Sequence, residues 1–330
     1  MAELARGLRH QLKRHPRWWL AAPAGLAVFG LGVALQSVGL SGSASGSASD
    51  PLLDALMAQP SGSALAAIRT ERAANRLEDP SQQGPAALRE PAAGAPLQLE
   101  IRVALLSAGL QPSLSATGVW QLRDDSGRVM QQGAAGEPVS LGQALQMGEA
   151  WLLTSRSAAV LVNGRAYAGR LRLLPKDGGL QVINHLGLES YIAAVVGAEM
   201  PSSWAMHALK AQAVAARSYA LAHMARPANR HWHLGDTTRW QAYKGLERVN
   251  SRTLEAAART SGIILSYQGA IVESLYASNR QISLEAHGHL GASMSQHGAR
   301  ELAEEGHRYN AILGRYYPGA SLARLRAGAL

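Results

Sequence analysis

The chain has 330 residues, enough to bury one large core or two ordinary ones, so size excludes nothing. It contains no cysteine, which excludes disulfides, thiolate metal sites and a Cys nucleophile, and leaves His and carboxylates as the ligands for any metal. A formal charge of +9 suits an anionic partner, yet beyond the N-terminus the basic residues are thinly spread, and no Lys/Arg block is interleaved with aromatics, which argues against nucleic acid.

Arg6, Arg9, Lys13, Arg14 and Arg17 precede an uncharged, largely apolar stretch from Trp18 to Leu40, followed by a Ser/Gly/Ala run from Ser41 to Ser49. A basic flank before such a stretch reads as a signal sequence or a single membrane anchor, and either places the rest of the chain outside the cytoplasmic membrane. Residues 1–49 are therefore expected to target the chain to the membrane. Residues 50–96, Ala-rich and then Pro- and Gly-rich, are expected to form a linker with short helices near Pro51–Met57 and Ala64–Leu77.

From Leu97 the text changes to short alternating or β-branched runs at 97–105, 116–122, 150–155, 158–162, 166–174 and 180–183. Asp125-Ser126-Gly127, Asn163-Gly164 and Lys176-Asp177-Gly178-Gly179 punctuate them as turns, with a hairpin expected at Asn163-Gly164. Helices are then expected at 188–197, at 203–225 with Ser202 or Ser203 as cap, and at 251–260. Two strands follow at 263–267 and 270–276, and a last helix at 299–305. Strands followed by helices and a strand pair, without a βα repeat, give an α+β fold. The expected division is a β-rich part at 97–179 and a catalytic core at 180–320, within one domain running from 97 to 330.

One carboxylate has an unusual setting. Glu199 follows the apolar run Ile192–Val196 and precedes Met200-Pro201, where one helix ends and a turn leads to the next. Partial desolvation there raises a carboxyl pKa towards the range of a general acid, although a helix-end carboxylate is also commonly a cap or a solvated group. Lys210 and Arg217, seven apart on the following helix, share a face that either turns towards Glu199 or is solvated. Tyr243, in Gln241-Ala242-Tyr243-Lys244-Gly245, either stacks on a sugar or is a core tyrosine. Ser295 and Gln296 either hydrogen-bond a sugar or pack a turn. His231 and His233, and later His287 and His289, alternate in pairs; no fourth ligand or spacing rule makes a metal site of them, and they read as hydrogen-bonding loop residues.

The string Glu189-Ser190-Tyr191, then Val195-Val196-Gly197-Ala198-Glu199-Met200-Pro201, Trp204 and Ala208–Ala220, closely resembles the stage II sporulation protein D (SpoIID/LytB) family. Asp236-Thr237-Thr238, Gln241–Leu246, Met294–Ala299 and Tyr316-Tyr317-Pro318-Gly319 continue the resemblance in order across about 180–319. It implies a lytic transglycosylase acting on peptidoglycan glycan strands stripped of stem peptides, with Glu199 as the acid/base and Lys210 and Arg217 in the site. A single carboxyl suffices for this mechanism. It protonates the glycosidic oxygen, then as a base helps the substrate's C6 hydroxyl attack C1, leaving a 1,6-anhydro sugar. The paired carboxylates of ordinary glycosidases are not required. The resemblance also implies a second reading, a glycan-binding enhancer of a cell-wall amidase, with that amidase or other envelope remodelling proteins as partners.

Departures from the family pattern are specific. Where some members carry two cysteines and a histidine that hold zinc, this chain has Gly235, Arg239 and Trp240, so no family-type metal site and no cofactor are expected. The stretch after the late strand is shortened, and the family's GHGVGMSQ pattern is altered, with His289 one place early and Ser293 where glycine is expected.

Overall fold

The computed structural model describes residues 87–95, 97–146, 148–278 and 292–326. The expected membrane-targeting segment, the part of the expected linker before residue 87, and His287 and His289 lie outside the described residues.

The fold is α+β. Strands β1 (Glu100–Ala104), β2 (Leu114–Ala116), β3 (Trp120–Asp124), β4 (Val129–Gly133), β5 (Ala150–Thr154), β6 (Val160–Val162), β7 (Arg165–Tyr167), β8 (Arg170–Lys176), β9 (Gly179–Gly187) and β10 (Leu234–Gly235) form two sheets, interrupted by the short helix α1 (Leu141–Gln146). The larger sheet has the order β10-β1-β9-β8-β5-β3-β4, and the smaller has the order β2-β6-β7. Period-2 alternation sets which face is buried. In β8, Leu171 and Leu173 are buried while Arg170 and Arg172 stay partly exposed, and in β1, Ile101 and Val103 point inward on either side of Arg102. The hairpin expected at Asn163-Gly164 joins β6 to β7, with φ of 50° and 76° at the two turn residues, the conformation that Asn-Gly adopts most readily. The boundary expected at 179/180 falls at the start of β9, whose residues 179–185 pair with β8.

Helices α2 (Leu188–Glu199), α3 (Met206–Ala225) and α4 (Ser251–Arg259) follow, and α2 packs on both of the others. Beyond them come β11 (Ile263–Tyr267), β12 (Ala270–Ile271), β13 (Leu275–Ala277), β14 (Ser293–Ser295), α5 (Gln296–Glu304), α6 (Tyr309–Tyr316) and β15 (Ser321–Arg324). Strand β11 lies between β12 and β15, and β13 pairs in parallel with β14. In place of the single apolar stripe expected for α3, every residue from Leu209 to Ala222 except Lys210 is buried. A helix so rich in alanine is apolar nearly all round and is enclosed by its neighbours.

Neither serine caps α3. The helix begins after Ala205, because the chain first makes a turn in which Trp204 N–H donates to Pro201 O. That turn is held from outside by Arg252 on α4, whose guanidinium donates to the carbonyls of Ser202 (2.6 Å) and Trp204 (2.7 Å). Asn250 in turn fixes the start of α4 through a reciprocal capping box with Thr253. Gly197 lets α2 approach this region: a Cβ there would run into the carbonyl of Arg248. The elements around the end of α2 are thus fixed by backbone contacts two residues before, and three to five residues after, Glu199.

Candidate active site

Glu199 is the last residue of α2 and is partly buried. Its Oε1 accepts from the backbone N–H of Ala242 at 2.8 Å, and its Oε2 accepts from Gln296 Nε2 at 3.0 Å. Among the described residues, no cation forms an ion pair with it. Burial therefore dominates and raises its pKa above the ordinary glutamate value, while the two neutral donors oppose the shift only in part. Such a carboxyl can carry a proton nearer to neutrality than a solvated one.

The Ala242 N–H is aimed by its neighbour. Gln241 is buried, donates through Nε2 to Ala216 O (3.1 Å) and to the Tyr276 hydroxyl (2.8 Å), and accepts at Oε1 from the Tyr191 hydroxyl (3.0 Å). Both amide N–H groups and the amide oxygen are engaged within one network that ties α2, α3 and β13 to the loop carrying Ala242. Burial raises the pKa of Tyr191 and Tyr276 well above the usual tyrosine range, and the Glu199 charge pushes in the same direction, so both remain neutral hydroxyls. Trp204 and the exposed His297 stand with ring centroids 5.1 Å apart, and the Arg300 guanidinium lies 5.5 Å from the Trp204 ring.

Of the residues singled out from the sequence, the structure brings Gln296 to Glu199 and places the others differently. Arg217 has no exposed surface. It forms a two-pronged ion pair with Glu189 (2.9 and 2.7 Å) and donates to the carbonyls of Ile263 (3.0 Å), Ala257 (3.3 Å) and Ala213 (3.4 Å). Glu189 and Glu199 are ten residues apart on α2, about 15 Å along its axis. The face expected to carry both Lys210 and Arg217 therefore neither turns Arg217 towards Glu199 nor leaves it solvated: Arg217 binds the opposite end of α2. Lys210 lines a cleft of about 350 Å³ with Glu90, His207, Arg259, Arg308 and Tyr309, a set that does not include Glu199.

Tyr243 is a core tyrosine rather than a sugar platform. Its ring packs 5.8 Å from Tyr167 and 5.0 Å from Tyr191, and its hydroxyl donates to Asn184 Oδ1 at 2.6 Å. Tyr243→Phe is expected to lower stability by about 1–3 kcal/mol, because Asn184 Oδ1 is left unpaired in the interior. Glycan binding should be unchanged, so loss of binding at wild-type stability in a urea titration would reverse this assignment. Ser295 is buried and caps α5 by accepting from Gly298 N–H at 3.1 Å, the turn-packing role. Its part is to begin the helix that presents Gln296. His231 and His233 hydrogen-bond to Arg230 and Arg102 respectively.

Comparison with known proteins rests on this same region. Residues 176–267, from the end of β8 to the end of β11, match the model of the family described as SpoIID, Stage II sporulation protein. Through this stretch the chain is similar to the SpoIID family. The matched segment holds Glu199, Gln241 and Ala242, while Gln296 lies beyond it. An uncharacterized protein of Brachyspira hyodysenteriae is 38% identical over 117 residues, 35% of this chain and 32% of that protein. Two Bacillus subtilis proteins are also similar. The amidase enhancer is 38% identical over 88 residues, 27% of this chain and 12% of its own, and stage II sporulation protein D is 31% identical over 113 residues, 30% and 33%. The chain spans about a third or less of the length of each of these relatives.

Proposed function

We propose that the protein is an exported peptidoglycan lytic transglycosylase that cleaves peptide-free glycan strands to 1,6-anhydro-muramyl products at the outer side of the cytoplasmic membrane. The reading rests on one observation: a partly buried carboxyl, Glu199, held by two neutral donors with no ion-pair partner among the described residues. A guanidinium or ammonium beside it would favour the ionised form, whereas burial favours the proton. Glu199 gives that proton to the glycosidic oxygen as the C1–O bond breaks. The carboxylate then accepts the proton of the C6 hydroxyl as its oxygen bonds to C1, closing the anhydro ring. Similarity to the SpoIID family over residues 176–267 supports a place in cell-wall remodelling, and the basic flank and apolar stretch of the N-terminus support export.

The test is digestion of purified, peptide-free glycan strands with the products read by mass spectrometry. Fragments 18 Da lighter than hydrolysis products, ending in anhydro-muramic acid, are expected; products with reducing muramic ends would show water as the attacking group and overturn the mechanism. Gln296 offers a finer test. Its side-chain donor favours the ionised carboxylate, so Gln296→Ala should raise the Glu199 pKa further. The general acid is then protonated to a higher pH, and the alkaline limb of the pH–rate profile moves upward. An unmoved limb would remove Glu199 as the titrating group.

A second reading is favoured by the relative named amidase enhancer: the domain binds glycan and stimulates a cell-wall amidase without cutting glycan itself. Stimulation of an added amidase by protein that yields no anhydro ends would favour it.

A further inference from the structure

The cleft that holds Lys210 collects charge from four separate parts of the chain. His207 and Lys210 come from the first turns of α3, Arg259 from the end of α4, Arg308 and Tyr309 from the start of α6, and Glu90 from the segment before β1. Arg259 is paired with Glu255 at 2.6 Å. Lys210 and Arg308, by contrast, make no ion pair or side-chain hydrogen bond among the described residues. Burial and then Arg259 lower the Lys210 pKa, opposed by Glu255 and Glu90; for His207, burial is again the main cause, followed by Lys210 and Arg308, and the lowered pKa leaves the ring neutral at neutral pH. Lys210, Arg259 and Arg308 outnumber Glu90 and the Glu255 paired with Arg259, so the cleft keeps an excess of positive charge.

Like charges gathered round a polar cleft repel one another, and that cost falls when an anion enters. Neither α3 nor α6 has a side-chain cap or an acidic residue in its first turn, so both helix dipoles add to the same field. We propose that this cleft binds the phosphate or phosphodiester group of an anionic ligand. A carboxylate is satisfied by a single planar guanidinium, whereas here an ammonium and two guanidiniums approach from three different elements, an arrangement suited to the several oxygens of a tetrahedral oxyanion. The site shares no residue with the carboxyl pair of Glu199 and Gln296, and accounts for Lys210 without placing it beside Glu199.

The experiment is calorimetric titration of the full chain with inorganic phosphate, and separately with a poly(glycerol phosphate) chain, at constant ionic strength maintained with chloride. Saturable binding of phosphate is expected. Lys210→Met and Arg308→Met should each weaken it about tenfold, the equivalent of about 1.4 kcal/mol, and Glu90→Gln, which removes the opposing charge at an exposed position, should tighten it. Tighter binding of the polymer than of phosphate identifies a phosphodiester chain as the source; equal binding identifies free phosphate. Glu199→Gln should bind phosphate as the wild type does, so this site and the glycan reading fail independently. Absence of saturation above chloride overturns the proposal, as does unchanged affinity in a folded Lys210→Met/Arg308→Met double variant or weakened binding in Glu90→Gln.

Discussion

Glu199→Gln is expected to stop the release of anhydro-muramyl products, with turnover falling by about 10²–10⁴-fold, the usual worth of a general acid/base. The substitution is nearly isosteric. The amide oxygen can still accept from Ala242 N–H, and Gln296 can rotate its own amide to meet the new NH₂ group, so the geometry of the site should survive. Stability should move the other way. The folded-state pKa of Glu199 lies above its unfolded value, so the native chain binds the proton more tightly. Its destabilising effect is absent below the unfolded pKa, grows as pH rises through the folded pKa, and is then constant. The Gln variant escapes this and should unfold at a higher temperature than the wild type at neutral pH, with the difference vanishing in acid. Lost activity with raised neutral-pH stability is the signature of a desolvated acid; activity retained in the variant would remove Glu199 from the chemistry altogether.

The sequence made the local parts of this arrangement readable. Asn163-Gly164 specifies its hairpin through turn chemistry alone, and the apolar run before Met200-Pro201 marks the helix end that carries Glu199. What it could not show is which distant groups arrive there. Gln296 Nε2 reaches Glu199 across 97 positions, and the Ala242 N–H across 43. Gln241 was visible only as part of a motif, because its role is to satisfy three partners on separate elements. Helix α3 misled for a different reason. Alanine on nearly every face erases the polarity contrast on which periodicity depends, so Arg217 looked like a member of a cationic stripe when it is wholly enclosed.

That enclosure makes the Arg217–Glu189 pair the place where a single substitution should cost the fold most. Glu189→Gln leaves a guanidinium with no solvent access and only carbonyl partners, and breaking a buried pair by removing one member typically costs about 3–5 kcal/mol. Arg217→Met should fall at the lower end of that range. Glu189 is partly exposed and keeps the Gly262 N–H as a donor at 3.2 Å, and Ala257 O keeps the Thr260 N–H at 3.3 Å, but the carbonyl of Ile263 loses the guanidinium. Because the pair ties the start of α2 to α3, α4 and β11, both variants should lower the urea midpoint while the folded fraction keeps its specific activity on glycan. A substrate-binding Arg217 predicts the reverse: wild-type unfolding with weakened glycan affinity. Adding Glu189→Leu to Arg217→Met separates the two roles again, since removing both charges should recover part of the stability lost by either. Only a structural pair responds in that way, and a sugar-binding arginine would gain nothing from the loss of its neighbour.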